Sequence, residues 1–192
     1  MEDRERELIE RAQTGDHYAF DSLVRMHDKR VLQIAYSMLN NREDAEDVYQ
    51  EAFMRAFSGL SGFRFESSFH SWLGRIVVNL SINKRKQRTR KRMFSIERND
   101  EKEDLKLQKN AAVEAEAPDR MLSTEFREHI HRRLDELPET QRTAFTLKHI
   151  HGYKIKEISG MMNCAEGTVK NYIFRASQKL RKKLTPYHKD AI

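Results

Sequence analysis

The sequence predicts an all-α fold of two small helical domains joined by a flexible linker, and three observations carry that expectation. Apolar residues recur at helical spacing, and Val, Ile and Thr never form an alternating run bounded by turns, so no strands are expected. The helix-stopping residues Gly, Asn and Pro fall between the periodic segments rather than inside them. The stretch 93–117 is mostly charged, Gln/Asn or alanine, and it can bury little apolar area against its ordering entropy. It is expected to form the linker, 93–118, between a first domain at 1–92 and a second at 119–186.

The elements follow in order. Gly15-Asp16 closes a first short helix, and Asn40-Asn41 separates helices over 18–39 and 42–57. A loop over 59–68 precedes a long helix from Phe69 to about Arg92. Pro118, Pro138 and Pro186 lie at expected helix starts or just past a helix end. Leu137-Pro138-Glu139 opens a helix to about Ile150, and Gly152 ends it. Ile155, Ile158, Met161 and Met162 build a short helix. Asn163-Cys164-Ala165 then makes a tight turn, with Asn able to adopt the left-handed conformation. A last helix begins near Gly167 and continues to about Leu184.

The chain has 192 residues, Lys+Arg 36 against Asp+Glu 30, and a formal net charge of +6. So small a surplus suits a polyanionic partner only if it is clustered, and here it is. Residues 84–92 are almost entirely basic, as are 179–183, while 43–51 and 97–104 are rich in acid. The one cysteine, Cys164, allows no intrachain disulfide and no cysteine-rich zinc site, which fits a reducing cytosol. It is expected to be a small buried apolar residue in its turn rather than a redox sensor. The N-terminus is charged from the start, and no apolar run approaches the roughly 20 residues that span a bilayer. A soluble intracellular protein without direct membrane insertion is expected.

Several faces are candidates for function. On the helix over 42–57, Ala45, Val48, Tyr49, Ala52, Phe53 and Ala56 share one arc, which should face the core. Asp47, Gln50 and Glu51 stand at i, i+3 and i+4 on the other side, with Met54, as one acidic and amide patch. Such a patch is a poor nucleic-acid surface and suits a basic protein partner. On the helix from Phe69, the stripe Phe69, Trp72, Leu73, Ile76, Val77 and Leu80 should be buried, with Arg75, Asn79, Ile82 and Lys86 to one side. Phe63, Phe65 and Ser67-Ser68 lie in the preceding loop. Aromatic and polar groups beside a cationic helix can stack an unpaired base and hydrogen-bond its edge, at ~1–3 kcal/mol per stack. For Phe63 and Phe65, core packing and base contact both stay open.

Lys84, Arg85, Lys86, Arg88, Arg90, Lys91 and Arg92 are more cations than capping a helix end requires, and phosphate binding explains them. Near the C-terminus, a short helix, a tight turn and a second helix with a polar, basic outer face form the geometry that reads a major groove. In that second helix Val169, Ile173, Ala176 and Leu180 should face inward. Lys170, Asn171, Phe174, Arg175, Gln178, Arg181 and Lys182 should face outward, and Thr168, Lys170, Asn171 and Arg175 would reach bases or phosphates.

With these residues laid out, the chain resembles a bacterial RNA polymerase sigma factor of the extracytoplasmic-function (ECF) group. Asp44-Ala45-Glu46-Asp47-Val48-Tyr49-Gln50-Glu51-Ala52-Phe53 is similar to the segment that grips the clamp helices of the polymerase β′ subunit. Residues 63–79 resemble the segment that melts and reads the −10 element, and 138–184 the helix-turn-helix that reads the −35 element. The resemblance implies a region 2 bundle at 1–92 and a region 4 helix-turn-helix at 119–186. Asp44, Asp47, Gln50 and Glu51 would contact core polymerase. Phe63, Glu66, Ser67, Ser68, His70, Ser71, Arg75, Asn79, Lys84 and Lys86 would hold −10 DNA. Thr168, Lys170, Asn171, Phe174, Arg175 and Gln178 would hold −35 DNA.

The implied partners are core RNA polymerase (β′ clamp helices and β subunit), promoter DNA and an anti-sigma factor, membrane-associated or soluble, that masks these faces. Such a factor could hold a cytoplasmic protein at the inner face of the membrane. Phe65 stands where the family usually has glycine in the Phe-Arg-Gly-(Asp/Glu)-Ser loop, and Asn163 replaces the usual glycine of the helix-turn-helix turn.

A helix-turn-helix regulator that does not replace sigma would need a receiver or ligand domain, and 1–92 shows no strand pattern. A nuclease would need carboxylates or histidines placed for metal. His129, His131, His149 and His151 cluster in sequence but pair with no acids at ligand spacing. No catalytic residue, metal or cofactor is expected, and the protein is expected not to be an enzyme.

Overall fold

A computed structural model describes residues 2–97 and 132–184, which fall into two compact units. The expected linker beyond Glu97, the start of the second domain, Pro118, Pro186, His129 and His131 lie outside the described residues. Every described element is helical, with no strand among the described residues.

The first unit holds α1 (Glu2–Gln13), α2 (His17–Leu39), α3 (Arg42–Gly59) and α4 (Phe69–Glu97), with a single 3₁₀ turn at Leu60–Gly62. Gly15, at φ +98°, makes the corner between α1 and α2 in a conformation that a side chain would resist. Asp16 caps α2, its carboxylate accepting the Ala19 N–H at 3.0 Å. Asn40, in the left-handed region at φ 49°, ends α2, and Asn41 at once caps α3 by accepting the Asp44 N–H at 2.8 Å. The adjacent asparagines thus perform opposite tasks within two residues.

The arc expected to be buried on α3 is buried, apart from a half-buried Tyr49. α2, α3 and α4 pack on one another around Leu23, Ile34, Ala52, Leu73 and Val77. Of the stripe expected on α4, Phe69, Leu73, Val77 and Leu80 are buried and Trp72 and Ile76 are half-buried. Val78 and Ser81 are also enclosed, because the helix packs against α2 and α3 at once. The Ser81 hydroxyl is satisfied by the Val77 carbonyl at 2.8 Å. α4 runs on to Glu97, past the Arg92 boundary that composition suggested, so the expected linker begins as helix.

The second unit contains a helical segment over 132–135, α5 (Glu139–Phe145), α6 (Ile155–Met162) and α7 (Glu166–Leu184). The helix expected from Pro138 to Ile150 forms, but it widens into a π turn over Thr146–Ile150, where the His151 N–H reaches back to the Thr146 carbonyl at 3.1 Å. Gly152, at φ +72°, ends it. Glu157 reaches back to the Lys154 N–H at 2.7 Å and starts α6. Asn163 (φ 50°, ψ 51°) takes the left-handed turn between α6 and α7, as its side chain allows. Leu134 and Leu137 form one cluster with Ala176 and Leu180 of α7. Of the residues expected to face inward on α7, Val169, Ala176 and Leu180 are buried and Ile173 is half-buried, while α6 buries Ile158 and Met161. Arg142 is 2% exposed, and its guanidinium meets Asp135 at 3.3 Å, tying α5 to the segment before it.

Candidate nucleic-acid and protein interfaces

The outer face of α3 carries the acidic patch. Asp47, Gln50 and Met54 are exposed and Glu51 is half-buried, held toward Arg55 at 2.7 Å. This patch is not isolated from the basic helix. The Lys84 ammonium of α4 sits 2.7 Å from Asp47 and 3.4 Å from Asp44, and Arg88 lies 3.6 Å from Asp44. The hydrogen bond to Asp47 is the main cause that holds the Lys84 pKa above its ordinary value. Lys84, expected among the phosphate ligands, is therefore committed to the carboxylates of α3 in this state. Arg85 is diverted too, donating to the Met38 carbonyl at the end of α2 at 3.3 Å. Lys86, Arg90 and Lys91 remain on the exposed side of α4.

Before α4 lies an aromatic cluster. Phe63 is 6% exposed, with ring centroids 5.0 Å from Phe65, 5.9 Å from Phe69 and 5.2 Å from Trp72. Of the roles open to Phe63, this conformation gives it packing. Phe65 is half-buried with its backbone at φ 58°, in the left-handed region that costs a non-glycine residue roughly 1–2 kcal/mol. The glycine usual at this position would sit there without strain. Arg6 of α1 lies over the Phe65 ring, 4.8 Å from its centroid.

Glu66, Ser67 and Ser68 are exposed beyond it, as are Arg75 and Asn79 on α4. Ser68 caps α4, its hydroxyl accepting the Ser71 N–H at 3.2 Å and donating to the Ser71 hydroxyl at 2.9 Å. Ser71 is thereby buried in the first turn, and His70 is half-buried against His27 with ring centroids 6.3 Å apart. Of the expected −10 residues, Glu66, Ser67, Ser68, Arg75, Asn79 and Lys86 are presented outward, whereas Phe63 and Ser71 are not.

α1 contributes through contacts that the sequence does not announce. The Gln13 side-chain amide donates to the carbonyls of Leu60 and Phe63 at 3.0 and 2.8 Å, fixing the turn that leads into the aromatic cluster. These partners are 47 and 50 residues away, so no local spacing in the sequence signals them.

In the second unit, Lys170, Asn171, Phe174, Arg175 and Gln178 are exposed on α7 and Thr168 is half-buried near its start. Phe174 is 60% exposed, an aromatic ring that no core packing explains. A cationic, amide-bearing helix face presented by a tight turn suits the major groove, where arginine pairs with guanine and an aromatic ring meets the thymine methyl.

A core-anchored bundle with an acidic face and a polar loop, followed by a helix-turn-helix, defines a class of transcription initiation factor. The chain belongs to the sigma-70 family: residues 23–91 match the family model of Sigma-70 region 2, and 127–180 that of Sigma-70, region 4. Within it, the chain falls in the ECF group of sigma factors. It is 35% identical to the RNA polymerase sigma-H factor of Pseudomonas aeruginosa over 99% of this chain and 98% of that one. It is 36% identical to the ECF RNA polymerase sigma-E factor of Escherichia coli K12, over 93% of each. The fold is shared with CnrH, solved in complex with the cytosolic domain of CnrY (TM-score 0.68, 23% identity, 95% of this chain and 98% of that one). It is shared too with the sigma factor RpoE solved with the anti-sigma factor NepR from Bartonella quintana (TM-score 0.65, 23% identity, 86% and 96%). Among the described residues, no helix is long and apolar enough to cross a membrane.

Proposed function

We propose that this ECF sigma factor grips core polymerase through Asp44, Asp47, Gln50 and Glu51 on α3. It reads −35 duplex with Thr168, Lys170, Asn171, Phe174, Arg175 and Gln178 on α7. It captures unpaired −10 bases at the loop Glu66–Ser68, with His70, Arg75 and Asn79 beside it and Lys86 on the phosphates. Phe63, Ser71 and Lys84 take part once their present contacts are exchanged. The functional domains are 1–92 and 119–186, with 93–118 between them, and the chain works in the cytoplasm as a binding factor, not an enzyme. An anti-sigma factor covers these faces in the resting state; the structurally similar sigma factor RpoE was solved with the anti-sigma factor NepR.

The observation that carries this reading is the exposed Phe174 among Lys170, Asn171 and Arg175, because a solvent-facing ring in a basic helix face costs solubility and serves base-edge contact. Run-off transcription with purified core polymerase on a genomic template pool tests it. Discrete, sequence-specific start sites are expected only when this chain is added, and their absence on every template would sink the assignment.

A further inference from the structure

We propose that Phe65 and Arg6 are positioning residues that set the −10 base preference of this protein, an inference that rests on the −10 role given to the loop Glu66–Ser68. The starting point is a backbone outlier. A bulky residue at positive φ persists only where its surroundings hold it, and such residues concentrate at functional loops. Here the holders are visible. The Phe65 ring meets the tilted Phe63 ring at 5.0 Å and carries the Arg6 guanidinium over it at 4.8 Å. Arg6 is itself oriented by Glu10, its Nε donating at 2.9 Å. α1 is docked beneath by Gln13 on the Leu60 and Phe63 carbonyls and by Glu5 against His27 at 2.7 Å.

The consequence falls on the next residues. Ser68 is fixed as the cap of α4, and Phe65 is fixed by its ring, so only Glu66 and Ser67 span the gap between two anchors. Their exposed carboxylate and hydroxyl are the groups able to hydrogen-bond the edge of a captured base. Where they point is decided by the Phe65 backbone, and that backbone is decided by α1. The span matched by the region 2 family model starts at residue 23, so α1 adds to the loop from outside it. Glycine at this position would need no such support. A phenylalanine does, and in return it holds the loop in one shape.

The test uses holoenzyme reconstituted from core polymerase and full-length chain. Template libraries randomised through the −10 element on a promoter found by run-off transcription report base preference at each position. F65A keeps the unfavourable backbone but loses both ring contacts. It is expected to reduce discrimination at the captured position at least about fivefold. R6A should reduce it about two- to threefold, and R6K, which keeps a cation over the ring, should restore it. Polymerase affinity should be unchanged in all three, and thermal melting of each variant is measured alongside. Preference equal to that of the original protein in both F65A and R6A overturns the inference, whatever the melting temperatures show. F65G provides a variant free of backbone strain, and a sharp, unchanged preference there also counts against it. If the unmodified chain initiates at no promoter, the sigma assignment falls as well; initiation with unchanged variant preferences removes the Phe65 and Arg6 roles alone.

Discussion

On α7 the side chains that would meet DNA stand clear of the core: Lys170, Asn171, Phe174, Arg175 and Gln178 all face solvent. In the N-terminal unit several of the groups that would act are already engaged within the protein. Phe63 packs among aromatic rings, Lys84 bridges Asp44 and Asp47, and Phe65 meets both the Phe63 ring and the Arg6 guanidinium. On the proposed reading the first arrangement meets duplex with no internal contact of these side chains to break, and its cost on binding is the ordering of exposed side chains. The second must exchange internal contacts for external ones. That difference suits the tasks, since a duplex offers its base edges in a fixed groove, whereas an unpaired base must be received into a site.

The largest effect should come from reversing a charge on the polymerase face. Glu51→Lys places a cation beside Arg55 and removes an acid from the patch, and affinity for core polymerase should fall at least ~30-fold, about 2 kcal/mol or more. Binding of the full chain to −35 duplex should stay constant, measured by anisotropy on a labelled oligonucleotide. Equal loss of both activities would indicate misfolding and break the contrast between the two units.

Arg175→Ala probes the preformed reader. If Arg175 makes a bidentate base contact, the change costs ~1–3 kcal/mol and relaxes preference at one −35 position, visible in a competition assay against single-base variants. A uniform loss across sequences with a smaller salt slope would make it a phosphate ligand instead.

Helical periodicity and the helix-stopping residues made the fold legible: Asn40, Asn41, Gly152 and Asn163 each end or start a helix where expected. The exposed face of α7 was legible for the same reason, because one helix against one core obeys a simple period. What local spacing did not reveal depends on contacts between distant elements. Gln13 meets the turn at Leu60–Phe63, and Lys84 reaches α3 across 37 residues, so a cation read as a phosphate ligand belongs at present to the acidic patch. Phe63 and Phe65 stayed ambiguous because a short loop gives no period from which to infer burial. Phe65 was visible as a departure from the family's glycine, but the backbone angle that gives the departure meaning required the fold.

A smaller effect is expected at the cap of α3. Asn41→Ala removes the acceptor for the Asp44 N–H and should cost about 1 kcal/mol of stability, read as a lower denaturant midpoint at unchanged slope. Because Asp44 begins the acidic patch, Asn41→Asp, which keeps the acceptor, should restore stability without weakening polymerase binding.

The smallest change tests the bridge between the two N-terminal surfaces. Lys84 is partly exposed, so Lys84→Met should cost under about 1 kcal/mol at neutral pH. Its pKa is raised in the folded state, chiefly by the hydrogen bond to Asp47. The stabilisation is therefore fully present below the ordinary lysine value and is lost as pH rises through the raised one. The stability difference between the original protein and the Lys84→Met variant should accordingly shrink in strong alkali. Function should move in the opposite direction to stability. Without the ammonium, Asp44 and Asp47 are left to a basic partner, and polymerase affinity should rise about two- to threefold at low salt, with the gain fading as salt screens the patch. Unchanged affinity would mean that the bridge is retained in the bound state, and the N-terminal surfaces would then be as preformed as the face of α7.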